Sequence, residues 1–390
     1  MTIVLTGGGS GGHITPILAV AAELKHRQPH AKLIYIGQRG DNLGDIPAQD
    51  PNIDAVYTVR AGKFRRYHGE GLKQLLDLPT MFKNARDFFY VLIGFWQSRK
   101  LLKALQPDVL FIKGGFVGVP VGLAAASLHQ PYITHDSDAI PGLANRIIAR
   151  WATQHAVAMP KDIYRYPANK TVTTGVPLNK LFVPVTAALQ QRYRKELDLP
   201  AGAKVLFIIG GGLGSQIINR AVSEAVPHLM HEYRDLYVIH GVGRANYDDM
   251  EAIYNSSLTP AQQQRLRVFD FANDIYRYSG AADLIVTRAG ATNLAEFAVQ
   301  GKACVVIPSS FLTGGHQLKN TKYLEEQGAA AVITEEQLAD DSNRLAKQVS
   351  DLLKQPEERA KLGAALHKFA KPHATSDLAV LLLSLAKERR

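Results

Sequence analysis

Ile3-Val4-Leu5-Thr6 runs directly into Gly7-Gly8-Gly9-Ser10-Gly11-Gly12-His13-Ile14-Thr15-Pro16. A short apolar run, a bare glycine loop and the amphipathic stretch Ile17–Arg27 read as strand, tight turn and helix, the opening of a doubly wound α/β domain. The same signals return in the second half, as Val205–Ile209, Gly210-Gly211-Gly212-Leu213-Gly214-Ser215 and Asn219–Tyr233. Two doubly wound, Rossmann-like domains account for that restart better than one long sheet. Leu33–Ile36, Val109–Lys113, Tyr132–Thr134, Leu236–His240, Leu284–Thr287 and Ala303–Ile307 supply further strands. The boundary is expected near Phe182-Val183-Pro184-Val185, after the turn-rich Thr174-Gly175-Val176-Pro177. That gives domains over 1–183 and 184–373. In the remainder, 374–390, Ser376–Lys387 reads as a helix with either domain to return to, the N-terminal one among them.

The 390 residues are 46% hydrophobic and 21% charged, ordinary globular proportions that exclude disorder, collagen and coiled coil. The net charge of +10 is unevenly placed. Residues 1–185 hold 21 basic and 12 acidic side chains, against 24 and 23 in the rest. The N-terminal half is therefore expected to meet an anionic partner. One cysteine, Cys304, excludes a disulfide framework; its apolar run predicts a buried structural thiol. Met1–Leu5 leads into the glycine loop without the features of a signal peptide. The longest apolar run, Phe88–Trp96, falls far short of the roughly 20 residues of a spanning helix. A cytoplasmic protein is expected.

Gly7, Gly9 and Gly12 satisfy the dinucleotide spacing, yet Ile36-Gly37-Gln38-Arg39 offers no acid for a ribose, which disfavours NAD or FAD. What survives is backbone N–H groups and a helix dipole aimed at an anion. His13 at that helix start is expected to be neutral near pH 7. It then serves either as a proton acceptor or only as a helix cap. The second glycine loop makes a second anion site, and one loop per domain points to a phosphate-bearing ligand on each side of a cleft. In Arg288-Ala289-Gly290-Ala291-Thr292-Asn293-Leu294-Ala295-Glu296, Thr292 reads as an N-cap. Glu296, about a turn further on, either binds a ribose diol or merely complements the dipole. Gln317 and Asn320, three apart after Thr313-Gly314-Gly315-His316, share a helix face and suit a polyhydroxylated ligand.

These motifs resemble the MurG family, the peripheral-membrane N-acetylglucosaminyltransferases of bacterial peptidoglycan synthesis, of the two-domain GT-B class. The resemblance runs through Gly7–Pro16, Pro107-Asp108-Val109, Gly114–Pro120, His135–Gly142 with Asn145, Gly210–Asn219, Phe271–Ile275, Arg288–Glu296, and His316-Gln317 with Asn320. It implies that the C-terminal domain holds UDP-N-acetylglucosamine and the N-terminal domain holds the undecaprenyl-diphosphate-linked muramoyl-pentapeptide. By the same resemblance His13 is the candidate base. Gly9, Ser10, Gly11, Gly12, His135, Asp136, Asp138 and Asn145 would meet the acceptor. Asn179, Gly211, Gly212, Leu213, Gly214, Arg288, Ala291, Thr292 and His316 would meet the donor. Glu296 would take the ribose, Phe271 and Ala272 would flank uracil, and Gln317 and Asn320 would face the sugar. The chain departs from the family pattern at His135-Asp136-Ser137-Asp138 (usually His-Glu-Gln-Asn) and at Asn179 (usually arginine). It departs again at Gly212 (usually serine) and Gly314-Gly315 (often acidic).

The chemistry implied is in-line attack of an acceptor hydroxyl on the anomeric carbon, with inversion. No carboxylates stand at metal-ligand spacing, so no metal and no cofactor is expected. Asp136 and Asp138 are an alternative base or solvated loop residues. Residues 60–103 carry ten basic side chains (Arg60, Lys63, Arg65, Arg66, Lys73, Lys83, Arg86, Arg99, Lys100, Lys103) against Glu70, Asp77 and Asp87. With the run 88–96 among them, they read either as docking on the anionic inner face of the cell membrane or as a buried helix with a basic edge. No nucleic-acid motif accompanies the charge. Two other functions stay open: a UDP-N-acetylglucosamine 2-epimerase of similar fold, and a non-catalytic nucleotide-sugar or lipid-binding protein.

Overall fold

The structure, a computed structural model, describes residues 1–9, 11–41, 43–63, 78–272, 274–310 and 316–388. Ser10, Arg65, Arg66, Glu70, Lys73, Asp77 and Thr313–Gly315 lie outside them, as do the side chains of His316 and Asn320. The chain divides into two compact units: Met1–Lys180 with Lys371–Arg390, and Leu181–Ser310 with Gln317–Ala370.

The first unit is a seven-stranded sheet of β1 (Thr2–Thr6), β2 (Lys32–Gln38), β3 (Ala55–Val59), β4 (Val109–Ile112), β5 (Tyr132–Asp136), β6 (Gln154–Val157) and β7 (Thr171–Thr173). Its order is β3-β2-β1-β4-β5-β6-β7, and every neighbouring pair is parallel. The strands read as apolar runs because both faces are covered. Ile3, Leu5, Leu33, Tyr35, Val109 and Phe111 point to one face, where the helix Gly11–Arg27 packs with the C-terminal helix Ala374–Glu388. Val4, Ile34, Ile36, Leu110 and Ile112 point to the other, against the helix Gly118–Ser127 and Leu102. Thr6 stands level with Ile36 on one side and Ile112 on the other. The chain order therefore reverses at β1, and the first glycine loop leaves the sheet at that switch point.

The second unit repeats the plan with β8 (Lys204–Ile209), β9 (Leu236–Gly241), β10 (Leu266–Phe269), β11 (Leu284–Thr287), β12 (Cys304–Val306) and β13 (Ala331–Val332). The order is β10-β9-β8-β11-β12-β13, all parallel. Leu206 and Ile208 enter one core and Val205, Phe207 and Ile209 the other. Cys304 is fully buried, and burial raises its thiol pKa. The second glycine loop leaves β8 at the switch between β9 and β11.

The helix Leu78–Leu105 contains the long apolar run. Its inner stripe is Asp87, Val91, Gly94, Ser98 and Leu102, all buried. Its outer face carries Phe82, Phe88, Phe89, Leu92, Ile93 and Trp96, with Phe82 77% and Trp96 66% exposed. The buried-helix alternative is thereby corrected: the apolar run lies largely outside, among exposed Lys83, Arg86, Lys100 and Lys103. Among the described residues, no helix is long and apolar enough to cross a membrane.

Candidate active site

In the first unit the glycine loop is held from several sides. The Tyr35 hydroxyl donates to the Gly7 carbonyl. Asp41 Oδ2 accepts the Gly9 N–H at 3.1 Å. The turn after β4 leans on the Gly8 backbone: Gly115 has φ +76°, and a Cβ there would lie 2.5 Å from the Gly8 oxygen and 3.4 Å from His13 Nδ1. That approach requires glycine.

Gly11 and Gly12 open the helix, and His13 is its third residue, half-buried. Its Nδ1 lies 3.1 Å from the Gly8 carbonyl, which only accepts, so Nδ1 carries the proton and the lone pair is on Nε2. Burial, then the charge of Lys113, lowers its pKa to about 4, against the pull of the Gly8 hydrogen bond. Neutrality expected from a helix dipole is thus assigned to desolvation and a neighbouring cation.

Lys113 follows β4 directly and is buried. Its Nζ donates to Ser137 Oγ at 2.8 Å. Burial lowers its pKa to about 8 while Asp138 and Asp136 pull it back up. Asp136 ends β5 and is only 5% exposed, so it is not the solvated loop residue that was one expectation. Its Oδ1 accepts the Gly142 N–H at 3.0 Å and its Oδ2 the Tyr166 hydroxyl at 2.8 Å. Its pKa is raised by burial, which outweighs these bonds. The backbone carbonyl of Asp138 accepts the Tyr164 hydroxyl at 2.9 Å. His135 is fully buried and donates Nε2–H to the Gly175 carbonyl at 2.8 Å, while its own carbonyl accepts Asn145 Nδ2 at 2.9 Å. Burial, then Lys113, holds its pKa well below the usual histidine range. His135 and Asn145 are therefore buried and bonded to backbone at the end of β5. Asn179 is exposed and belongs to the first unit.

In the second unit Gly211, Gly212, Leu213 and Gly214 form the loop after β8. Ser215 caps the helix Gln216–Glu232, its Oγ accepting the Ile218 N–H at 3.4 Å. Arg288, buried at the end of β11, donates Nε–H to the same Ser215 Oγ at 3.0 Å. The helix Ala291–Gln300 is capped by Gly290, so Ala291 and Thr292 lie in its first turn and Thr292 is not the expected N-cap. Glu296 is buried, and its carboxyl makes no hydrogen bond or ion pair with another described side chain; burial raises its pKa to about 8. Phe271 and Ala272 are half-buried beyond β10, and the Arg244 guanidinium lies 5.2 Å over the Phe271 ring. Gln317 is buried in the helix His316–Glu326, and its Oε1 accepts the Ser309 N–H at 2.9 Å. Among the described residues no group of three or more His, Cys, Asp or Glu is placed to hold a metal ion.

The family models for the glycosyltransferase family 28 N-terminal and C-terminal domains match residues 3–157 and 205–378. A protein of Desulfitobacterium hafniense (strain Y51) is 31% identical over 388 residues, covering 99% of this chain and all of that one. A protein of Geotalea daltonii is 33% identical over 370 residues, covering 95% and 93%. Each is named UDP-N-acetylglucosamine--N-acetylmuramyl-(pentapeptide) pyrophosphoryl-undecaprenol N-acetylglucosamine transferase. The chain belongs to glycosyltransferase family 28.

The crystal structure of Acinetobacter baumannii MurG is similar with a TM-score of 0.67 at 23% identity, covering 98% of this chain and 99% of that one. A UDP-GlcNAc 2-epimerase from Neisseria meningitidis, bound to UDP-GlcNAc, gives 0.66 at 13% identity, covering 98% and 100%. The GT-B fold expected from the resemblance is that of this family 28 chain, and so is its membership of the MurG family. Fold similarity alone does not separate transferase from epimerase; the full-length sequence identity does.

Several residues around the family 28 glycine loops were not singled out from the sequence. Lys113 had a signal, a cation closing the buried run Val109–Ile112. Asp41 and Glu335 had none, because each acts on backbone or side chains brought to it by the sheet.

Proposed function

We propose that this chain transfers N-acetylglucosamine from UDP-N-acetylglucosamine to the lipid-linked muramoyl-pentapeptide, with inversion. The acceptor hydroxyl attacks the anomeric carbon, His13 Nε2 takes its proton, and UDP leaves toward the second glycine loop. There the N–H groups that open the helix Gln216–Glu232, with Arg288, offset the charge developing on the diphosphate. Gly9, Ser10, Gly11, Gly12, Asp136 and Asp138 line the acceptor side in this reading, and His135 and Asn145 support it. Gly211–Gly214, Ala291, Thr292, Asn179 and His316 receive the donor, with Gln317 and Asn320 toward its sugar. Glu296 takes the ribose diol, and Phe271 and Ala272 flank uracil. The observation that carries the reading is the placement of the His13 imidazole at the first glycine loop, its Nδ1 3.1 Å from the Gly8 carbonyl. The full-length identity to transferases of that name supports it.

Incubation with radiolabelled UDP-N-acetylglucosamine and a lipid-linked acceptor is the test. Label in the lipid is expected. Free sugar with UDP instead of labelled lipid would favour an epimerase, and binding without turnover a non-catalytic protein.

The outer face of the helix Leu78–Leu105 is proposed to dock on the anionic inner surface of the cell membrane. Exposed aromatics flanked by lysine and arginine combine apolar insertion with attraction to acidic headgroups. Phe89→Glu with Trp96→Glu should lower co-sedimentation with phosphatidylglycerol vesicles by about tenfold or more, since each buried aromatic contributes about 1.5–3 kcal/mol. Unchanged partition would remove this face from the docking role.

A further inference from the structure

One buried ion pair ties together the ends of four strands in the second unit. Arg288, after β11, reaches Ser215 after β8 at 3.0 Å, and its Nη1 donates to the Ile307 carbonyl after β12 at 3.2 Å. The same Nη1 lies 2.6 Å from Oε1 of Glu335, which opens the helix Glu335–Asp340 after β13. Glu335 Oε2 in turn accepts the Ser310 N–H at 3.1 Å and the Ser310 hydroxyl at 2.5 Å. The Arg288 and Glu335 side chains are 11% and 7% exposed.

We propose that Glu335 is a positioning residue of the donor site, fixing Arg288 so that its guanidinium is presented to the diphosphate of the nucleotide-sugar at the second glycine loop. This rests on the reading that the second unit binds UDP-sugar. A guanidinium is planar, and anchoring Nε and Nη1 leaves it one orientation. Its Nη2 edge has no partner among the described residues. Ser215 contributes to both functions, because the hydroxyl that caps the helix also holds Arg288. Stability is a poor explanation for such a pair, since buried ion pairs are often no better than apolar residues of the same volume. Burial alone would raise the Glu335 carboxyl; the Ser310 bonds and Arg288 outweigh it and hold the pKa below the usual glutamate value.

Glu335→Gln should raise the inhibition constant of UDP and the KM for UDP-N-acetylglucosamine by about tenfold. Inhibition by uridine, which lacks phosphate, should stay within twofold, as should the KM for the acceptor. Equal losses for UDP and uridine would mean general damage to the unit and would overturn the proposal, as would no loss for UDP. If Glu335→Gln does not fold, Ser310→Ala removes one hydroxyl from the same carboxylate. It should weaken UDP in the same sense by a smaller factor, and unchanged UDP affinity there would also overturn the proposal. Wild-type protein that neither binds UDP nor transfers sugar would instead refute the functional reading itself.

Discussion

Alanine in place of His13 lowers turnover by about 10²–10⁴-fold, the range for losing a positioned general base, and leaves UDP affinity within a factor of about two. The second part follows from the fold: His13 belongs to the first unit, and the glycine loop proposed for UDP belongs to the second. Loss of the bond to the Gly8 carbonyl costs about 1 kcal/mol of stability, so the variant remains folded for the measurement. The pH profile gives an independent check. With a pKa of about 4 in the free protein, His13 is deprotonated from pH 8 down to 5, so kcat/KM holds level there on its account. Below about pH 4 the imidazole is increasingly protonated and kcat/KM falls about tenfold per unit. Lys113→Met removes the cation that helps hold this pKa down, and the acid limb moves to higher pH. Turnover of His13→Ala within tenfold of wild type, or an acid limb unmoved in Lys113→Met, would exclude this account of the base.

The parts of the fold that were legible are the parts buried on both faces. β1, β4, β8 and β11 lie at or beside the two switch points, and complete burial requires unbroken apolar runs there. Of the strands missed, β3, β7, β10 and β13 are half-exposed, as with Thr171–Thr173 and the two residues of β13, and β6, though largely buried, opens on the polar Gln154-His155. Polar residues on an open face remove the pattern by which a strand is read. The glycine loops were legible for a different reason: each function is local, carried by consecutive backbone groups. The side chains that hold those loops act across the sheet. Asp41 reaches Gly9 over 32 residues, and Arg288 reaches Ser215 over 73. Nothing near Glu335 distinguishes it from an acid placed for the helix dipole; only its meeting with Ser310 and Arg288 does.

A methyl group at position 214 disables the second loop. Gly214 holds φ +75°, and a Cβ there would lie 2.0 Å from the Val242 carbonyl oxygen and 2.9 Å from Asn246 Nδ2. A non-glycine residue in that backbone region costs about 1–3 kcal/mol, and the overlap with a backbone atom is relieved only by moving the chain. The wall behind it gives little. The Val242 carbonyl accepts both Asn219 Nδ2 at 3.0 Å and Asn246 Nδ2 at 2.9 Å, and Asn219 is itself held by buried His240. The loop therefore shifts away from β9, and the shift passes to Ser215, where the helix is capped and Arg288 is anchored. Gly214→Ala is expected to melt several degrees lower and to bind UDP at least about a hundredfold more weakly, about 2.7 kcal/mol. Acceptor binding in the first unit should be unaffected. Calorimetric titration with UDP beside thermal unfolding decides it: full UDP affinity in Gly214→Ala would mean that the loop is not where the diphosphate sits.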